Sequence, residues 1–318
     1  MKKFYSSQTV RKSLCFVSSG LLLAACSTPP VPPSEPAKPA FVNFEVQGHR
    51  GARGMRSENT LAAFRYALES GVDALEMDLL MTKDNVLVVH HNPHLNPETC
   101  LDAKGRRING LIRIRSLTLK QLKGYDCGTL GDHHFPEQVP SPKEKIPTFA
   151  EVLTWLKTSK NPRASIVRLN VETKSELAHP NYAPAPLPFT KAVLAVIHQY
   201  GFESRVILQS FDYRTLAVAH RLEPSLTLSA LVEDRPALPL SKIAETLGAQ
   251  IISPNHEWLT QADVEDLHAH AVKVIPWTPN TVKDWKKLAD FHVDGMISDY
   301  PQQLLDFRTS LRTVAEGK

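Results

Sequence analysis

Two acidic residues lie two positions apart in an apolar stretch, Ala74-Leu75-Glu76-Met77-Asp78-Leu79-Leu80. Side chains alternate along a β-strand, so Glu76 and Asp78 would share one face of it. Two adjacent carboxylates repel each other unless a cation joins them, and oxygen ligands favour a hard ion such as Mg²⁺ or Ca²⁺. A half-exposed strand would leave both acids in solvent, but parallel barrel strands are buried on both faces. The spacing therefore indicates a divalent-metal site.

A second segment, residues 165–174, alternates in the same way, and its polar positions include Glu172 and Lys174. Glu172 can supply a third carboxylate, and Lys174 can supply positive charge for an anionic substrate. Amphipathic alternation explains this segment equally well when it is read alone.

Histidines follow two further β-rich runs. His49 stands in Gly48-His49-Arg50-Gly51, and His90 and His91 follow Val88-Val89. Histidine suits general acid–base work because its pKa lies near neutral pH. The guanidinium of Arg50 is a fixed fork of donors that suits a phosphate group. Each of these residues alone is more often structural, but their combination with three carboxylates indicates a reaction site.

The elements that must position these residues alternate regularly. The β-rich runs are Phe44–Gly48, Ala74–Leu80, Ser165–Lys174, Arg205–Phe211, Leu226–Val232, Gln250–Pro254, Lys273–Trp277 and Asp294–Ser298. Helical patterns lie between them at Thr60–Ser70, Phe149–Thr158, Phe189–Tyr200, Tyr213–Arg221, Leu240–Leu247, Asp263–His270 and Val282–Phe291, and a last helix begins near Pro301.

This alternation predicts a TIM-type (β/α)8 barrel over residues 41–318, of the α/β class, with its catalytic mouth at the carboxyl ends of the strands. The first strand is not followed by a Gly-rich dinucleotide fingerprint, which counts against an open, doubly wound sheet.

The alternation of strands and helices is interrupted after the second strand by residues 93–146, which we call the insertion. It contains Gly, Pro and His clusters and a single weak helical piece, Thr118–Lys123. We expect it to cross the mouth of the barrel, where loops determine substrate choice. It has little apolar material of its own. Cys100 and Cys127 both lie in it, and in a secreted chain we expect them to form a disulfide, the alternative being two buried free thiols.

The N-terminus predicts secretion and lipidation. Residues 1–25 carry four basic and no acidic residues and end in an apolar run too short to span a membrane. Leu23-Ala24-Ala25-Cys26 resembles the lipobox of bacterial lipoproteins, so we expect a signal peptide over 1–25, a lipid on Cys26 and a Pro-rich tether over 26–40. An ordinary signal peptide with a chance cysteine and a disordered N-terminus is the alternative. Ser27 favours the outer membrane, facing the periplasm or the cell surface.

Charge excludes one class of partner. The whole chain has a formal net charge of +4, with 37 Lys and Arg against 33 Asp and Glu. Removing the four basic residues of the signal peptide leaves the mature chain neutral. Nothing therefore favours nucleic-acid binding.

Taken together, the motifs resemble those of the glycerophosphodiester phosphodiesterase family. The matching pieces run in order along residues 44–301: Gly48-His49-Arg50-Gly51, Glu58-Asn59-Thr60, Glu76-x-Asp78, Thr82-Lys83-Asp84, His91, Glu172-x-Lys174, Gln209-Ser210-Phe211-Asp212, Trp277-Thr278 and Asp294-Gly295-Met296-Ile297-Ser298-Asp299-Tyr300-Pro301.

The resemblance implies a (β/α)8 barrel that uses one divalent cation, Ca²⁺ or Mg²⁺, to hydrolyse a small-molecule glycerophosphodiester to glycerol 3-phosphate and an alcohol. It also implies roles for individual residues: metal ligands Glu76, Asp78 and Glu172, acid–base histidines His49 and His91, phosphate contacts Arg50 and Lys174, and Trp277 at the mouth. In the family the insertion shapes the glycerol end of the site. No oligomeric state is implied.

The chain departs from the family pattern after the second histidine, where Asn92 replaces the usual aspartate, and at Ser57, which replaces a proline. The adjacent His90 competes with His91 for the same role, and the spacing from Asp78 favours His91. Two other functions stay open: a phospholipase acting on lysolipids or sphingolipids, and a surface-binding lipoprotein without activity.

Overall fold

The structure, a computed structural model, describes residues 43–315 of the 318-residue chain. The predicted signal peptide, the lipidated Cys26 and the tether lie outside the described residues. Within the described range, no helix is both long enough and apolar enough to cross a membrane.

The strands of the described residues are β1 (Glu45–Gly48), β2 (Ala74–Met81), β3 (Leu87–Val89), β4 (His94–Leu95), β5 (Ile112–Arg113), β6 (Arg168–Thr173), β7 (Val206–Ser210), β8 (Thr227–Val232), β9 (Ile251–Pro254), β10 (Lys273–Val274) and β11 (Gly295–Ser298). Eight of them are parallel neighbours in the order β10-β9-β8-β7-β6-β2-β1-β11.

Single backbone hydrogen bonds join the two ends of this sheet. The amide of Asp294 donates to Val274 O at 2.9 Å, and the amide of Ile297 donates to Pro276 O at 3.0 Å. The sheet thus forms a nearly closed barrel, which confirms the predicted (β/α)8 fold.

The helices are α1 (Leu61–Ser70), α2 (Leu119–Leu122), α3 (Phe149–Thr158), α4 (Pro186–Tyr200), α5 (Tyr213–Leu222), α6 (Leu240–Leu247), α7 (Gln261–Ala269), α8 (Val282–Asp290) and α9 (Pro301–Ala315). Local signals define their ends. The Thr148 side chain accepts from the Glu151 amide in a capping box at the start of α3. Gly201 ends α4 with a φ of 67°, a left-handed conformation in which glycine carries no Cβ penalty.

Each barrel strand has one face toward the helices and one toward the barrel interior. In β6, Leu169 and Val171 belong to the main hydrophobic core, whereas Asn170 faces inward. The Asn170 amide donates to Gln47 Oε1 at 2.7 Å and to Gln209 Oε1 at 3.0 Å. These three side chains therefore form a hydrogen-bonded polar group below the mouth, whereas Ile207, Ile251, Ile275 and Ile297 form a separate apolar cluster.

Three strands of the main sheet differ from the sequence-based prediction by more than one residue. The third barrel strand begins at Arg168 and not at Ser165, because Pro162–Ser165 forms a 3₁₀ turn. The seventh ends at Val274, three residues early, since Pro276 has no amide hydrogen for the ladder. β3 contains the β-rich run Val88-Val89 but was not among the eight predicted barrel strands, and it pairs antiparallel with the end of β2.

The insertion has more internal structure than its composition predicts. A disulfide joins Cys100 and Cys127 across 27 positions. The buried apolar residues of the insertion pack with the ends of β2 and β3 into a second core. This core consists of Leu80, Val88, Leu95, Cys100, Ile108, Ile114, Leu122 and Ile146. The expectation that the insertion has little apolar material of its own was therefore wrong. A short two-stranded sheet, β4 with β5, completes it.

Candidate active site

Three buried carboxylates meet at the carboxyl ends of β2 and β6. Asp78 and Glu172 are directly opposite each other in the strand register, and Glu76 precedes Asp78 on the same inward face. One ligand atom from each of these three residues lies within 4.8 Å of the others. The register of two parallel strands thus brings together acids that are almost a hundred positions apart.

Neighbouring donors fix the orientation of these acids. The backbone amide of Arg50 donates to Glu76 Oε2 at 2.7 Å, and Gln209 Nε2 donates to Glu76 Oε1 at 2.9 Å. Asn59 Nδ2 donates to Asp78 Oδ2 at 2.8 Å. The carboxylates of Glu76 and Asp78 are therefore held before any ligand arrives.

The charge of this cluster is incompletely compensated. Burial raises the pKa of Glu172 to about 7, although Lys174 Nζ lies only 2.9 Å from Glu172 Oε1. Burial, together with repulsion from Asp78, raises the pKa of Glu76 well above its usual range. Three oxygen donors that repel one another in a buried site fit a hard divalent cation such as Ca²⁺ or Mg²⁺.

His49 follows β1 and is held by an acid from the far end of the chain. Its Nδ1 lies 2.7 Å from Oδ1 of the fully buried Asp299, and its Nε2 lies 4.0 Å from Glu76 Oε2. Arg53 also binds Asp299, through two hydrogen bonds of 2.9 Å. Burial lowers the pKa of His49, and the charge of Asp299 opposes that effect.

His91 lies across the site from His49 and has an amide partner in place of a carboxylate. Its Nδ1 lies 2.8 Å from Asn92 Oδ1, and its Nε2 lies 3.1 Å from Lys174 Nζ. Burial lowers the pKa of His91 to about 3. The imidazole is therefore neutral at physiological pH, and its Nε2 lone pair faces Lys174.

Arg50 brings an unused donor to the same place. Its Nη1 donates to Glu58 Oε2 at 2.7 Å. Its Nε is buried and forms no hydrogen bond with any residue in the described range, lying 3.6 Å from Asp78 Oδ2. A buried donor without an acceptor is costly unless a ligand supplies one.

Two cavities meet at these residues. The first, of about 310 Å³, lies on the side of the insertion and is lined by Glu58, His90 and His91, among others. The second, of about 150 Å³, has both His49 and His91 in its wall. Arg50, Arg53 and His91 line both cavities, so they mark the boundary between the two.

The second cavity ends in an apolar wall. The ring of Trp277 packs edge-on against Phe211 with centroids 5.5 Å apart, and Trp277 Nε1 donates to Ser253 O at 3.0 Å. Thus every predicted site residue of the barrel lies around one mouth, while Cys26 lies outside the described residues.

Sequence reasoning gave no role to two residues that the structure brings into the site. Asp299, which appeared only as a member of a matching motif, orients His49. Arg53, which was not singled out, lines both cavities and neutralises Asp299. The position of Asp299 directly after β11 was an available signal, since residues there face the mouth of a barrel.

Comparison with known proteins identifies the family. Residues 49–303 match the sequence profile of the Glycerophosphoryl diester phosphodiesterase family. The chain belongs to this family. The resemblance seen in the sequence motifs is thereby confirmed, and the chain is an enzyme that hydrolyses glycerophosphodiesters.

Individual phosphodiesterases match more than four-fifths of this chain over nearly their whole length. A glycerophosphodiester phosphodiesterase from Bacillus altitudinis is 30% identical over 271 residues, which are 84% of this chain and 99% of the relative. One from Caldanaerobacter subterraneus is 29% identical and covers 82% of this chain and 96% of its own length.

Solved structures share the fold of this phosphodiesterase. A provisionally assigned glycerophosphoryl diester phosphodiesterase from Silicibacter pomeroyi superposes with a TM-score of 0.79 at 30% identity, covering 86% of this chain and 95% of that one. A phosphodiesterase from Oleispira antarctica was solved with its product sn-glycerol-3-phosphate. It superposes with a TM-score of 0.68 at 24% identity and covers 83% of this chain and 96% of that one.

Proposed function

We propose that this phosphodiesterase cleaves its substrate to glycerol 3-phosphate and an alcohol with a bound Ca²⁺ or Mg²⁺ ion and a pair of acid–base histidines. One observation carries the proposal: His49, His91, Glu76 and Glu172 all line the same cavity of about 150 Å³. Acid–base groups and prospective metal ligands thus face one small volume. A phosphodiester group bound there would contact both.

Glu76, Asp78 and Glu172 would hold the cation. When bound, a divalent cation supplies positive charge for the non-bridging oxygens of a phosphodiester. Lys174 adds a protein charge on the same side, because its Nζ lies 3.8 Å from Asp78 Oδ1 and 2.9 Å from Glu172 Oε1.

Arg50 would bind the phosphate directly. Its buried Nε has no acceptor among the described residues and lies at the boundary of the two cavities. A phosphate oxygen would supply that acceptor, and the ion pair with Glu58 fixes the direction of the guanidinium. Because the donor is preorganised, it stabilises charge that develops during the reaction without reorganising.

The two histidines differ in their partners, and this difference supports a separate role for each. His91 is neutral and has an amide on its Nδ1, so its Nε2 would accept the proton of the attacking oxygen, either water or the glycerol hydroxyl. Attack by the hydroxyl would form a cyclic phosphodiester, which a water molecule would then open to glycerol phosphate. His49 has a carboxylate on its Nδ1, which stabilises the protonated ring. Its Nε2 would donate the proton to the leaving alkoxide.

The two cavities would separate the two ends of the substrate. The larger cavity is lined by polar side chains of the insertion, among them Asn96 and Asp132, which suit the hydroxyl groups of glycerol. The smaller cavity ends at Phe211 and Trp277, which suit an alcohol moiety. The Oleispira antarctica relative, solved with glycerol 3-phosphate, supports that choice of product.

We further propose that the mature enzyme is a lipoprotein of the bacterial envelope, anchored through Cys26 in the outer membrane. The support is the sequence Leu23-Ala24-Ala25-Cys26 at the end of an apolar run, followed by the Pro-rich segment 27–40.

The deciding experiment measures release of glycerol 3-phosphate from glycerophosphocholine, with and without a chelator. Lysophosphatidylcholine is the competing substrate, because a relative from Rattus norvegicus, 25% identical over 279 residues, is a lysophospholipase D. Preferential cleavage of the lysolipid would favour the phospholipase function. Absence of turnover on both substrates would favour the binding lipoprotein.

A further inference from the structure

A second group of side chains that could hold a metal ion lies in the insertion, apart from the three carboxylates of the barrel. Glu98, His133 and His134 each offer one ligand atom, and these atoms lie within 4.8 Å of one another. All three side chains are exposed. From this geometry we infer that the insertion binds a first-row transition-metal ion of the Zn²⁺ class, at a site distinct from the Ca²⁺ or Mg²⁺ site.

The ligand atoms that the three side chains offer determine the class of ion. Two imidazoles and one carboxylate suit Zn²⁺, Cu²⁺ or Ni²⁺, whereas Ca²⁺ and Mg²⁺ take oxygen ligands almost exclusively. Zinc binds His nitrogen at about 2.0–2.1 Å and is commonly held by three protein ligands with a fourth position open. Because the side chains of Glu98, His133 and His134 are exposed, they can rotate to reach those distances without disturbing a packed core.

A carboxylate orients one of the two histidines. His134 Nδ1 lies 2.8 Å from Asp132 Oδ1, and Asp132 Oδ1 also accepts from the His134 backbone amide at 3.0 Å. This hydrogen bond fixes the tautomer and leaves the Nε2 lone pair of His134 for a metal. A carboxylate on the second ring nitrogen is the usual partner of a metal-binding histidine.

Covalent and hydrogen-bonded links bring the ligand-bearing segments together. Glu98 lies two residues before Cys100, and the histidines lie shortly after Cys127, so the disulfide between these cysteines joins the two segments. Two hydrogen bonds connect the turn that carries the histidines to the barrel. The amide of Asp132 donates to Gln138 Oε1 at 2.7 Å, and Gln138 Nε2 donates to Arg53 O at 2.6 Å.

This site is also a neighbour of the substrate. Glu98 and His134 line the same 310 Å³ cavity as Arg50 and His91. An ion held there would therefore lie beside the space that the proposed function assigns to glycerol. The metal would therefore change how tightly substrate binds, in addition to stabilising the insertion.

The test is calorimetric titration of Zn²⁺ into the full chain, purified without a polyhistidine tag and kept in excess Ca²⁺. We expect one tight Zn²⁺ site, and we expect Glu76→Ala/Asp78→Ala to retain it. His133→Ala/His134→Ala should lose it. Asp132→Asn should weaken it about 10- to 100-fold, as expected when the orienting partner of a ligand is changed.

His198→Ala is the matched control, because His198 is an exposed histidine whose Nε2 lies 3.1 Å from Glu223 and which belongs to no three-ligand group among the described residues. It should bind Zn²⁺ as the unmodified chain does. The inference is overturned if the unmodified chain binds no Zn²⁺ in excess Ca²⁺, if the double histidine variant binds it unchanged, or if Glu76→Ala/Asp78→Ala abolishes binding.

Discussion

The Nδ1 atom of His49 lies 2.7 Å from Oδ1 of Asp299, although the two residues are 250 positions apart in the sequence. Their contact follows from the parallel pairing of β1 with β11, in which Gly48 lies opposite Ser298. Each residue is the first one after its strand. Asp299 holds the Nδ1 proton of His49, so Nε2 is the atom that faces the prospective metal ligands.

Removal of divalent metal should abolish activity. Without a cation, the three carboxylates repel one another and the non-bridging oxygens of the phosphodiester keep their charge. Chelation should reduce glycerol 3-phosphate release to background, and Ca²⁺ or Mg²⁺ should restore it. Glu76→Ala/Asp78→Ala should be inactive under all metal conditions. Full activity of that variant would show that these carboxylates do not hold the metal.

Alanine at His49 or His91 should lower kcat by at least about 10²-fold, the effect of losing a proton-transfer group. His90→Ala is the control and should cost far less, because His90 lines only the larger cavity and its Nε2 lies 3.4 Å from the His94 carbonyl. Steady-state kinetics of the three folded variants would decide. An inactive His90→Ala with an active His91→Ala would show that His90 is the acid–base residue.

Asn92→Asp should move the acidic limb of the kcat/KM profile to higher pH. His91 has a pKa of about 3 and an uncharged partner, so it is neutral over the working range. A carboxylate at position 92 would stabilise the protonated ring and raise the pKa of His91. Because His91 must be neutral to act as a base, acidification would then begin to reduce activity at a higher pH than in the unmodified enzyme. Asn92→Ala, which removes the hydrogen bond but adds no charge, should not produce this shift.

A pH profile of Asn92→Asp that is unchanged, or displaced to lower pH, would contradict the assignment of His91 as the base. Measurement of kcat/KM for glycerophosphocholine as a function of pH, in a series of buffers at constant ionic strength, tests this prediction.

The disulfide of the insertion should contribute about 3–4 kcal/mol to the free energy of unfolding in the chain-entropy treatment of a loop of this length. Cys100→Ala/Cys127→Ala should therefore unfold at lower denaturant concentration than the oxidised chain, whereas Cys15→Ala in the predicted signal peptide should not change that concentration. Thiol titration of the denatured, unreduced mature chain should find neither Cys100 nor Cys127 free. Two free thiols there would contradict the bond.

Cys26→Ser should prevent lipidation. Acyl chains contribute about 0.8 kcal/mol per buried methylene to membrane binding, so their loss should release the protein from membranes. Metabolic labelling with a radioactive fatty acid measures this directly. Cys15→Ser is the control, since that residue lies within the predicted signal peptide. Label retained on Cys26→Ser would refute the lipoprotein assignment.

The sequence predicts the barrel and much of its site because those signals are local. Glu76 and Asp78 reveal their shared face by spacing alone, and the predicted bounds of α3 and α6 are those observed. Conversely, the pairing of His49 with Asp299 depends on closure of the barrel, which spacing along the chain does not encode. The second core was missed because Ile108, Ile114 and Ile146 are scattered among polar residues and become neighbours only in three dimensions.

The pairing of β1 with β11 has a consequence for biosynthesis. A chain is synthesised from its N-terminus, so the residues around His49 emerge early and Asp299 emerges among the last. Until β11 is added, the barrel lacks the strand that lies beside β1, and the first histidine lacks its acid. The hydrolytic site is therefore complete only when almost the whole polypeptide has been released, and a prematurely terminated chain that ends before residue 299 would be inactive however well its other elements fold.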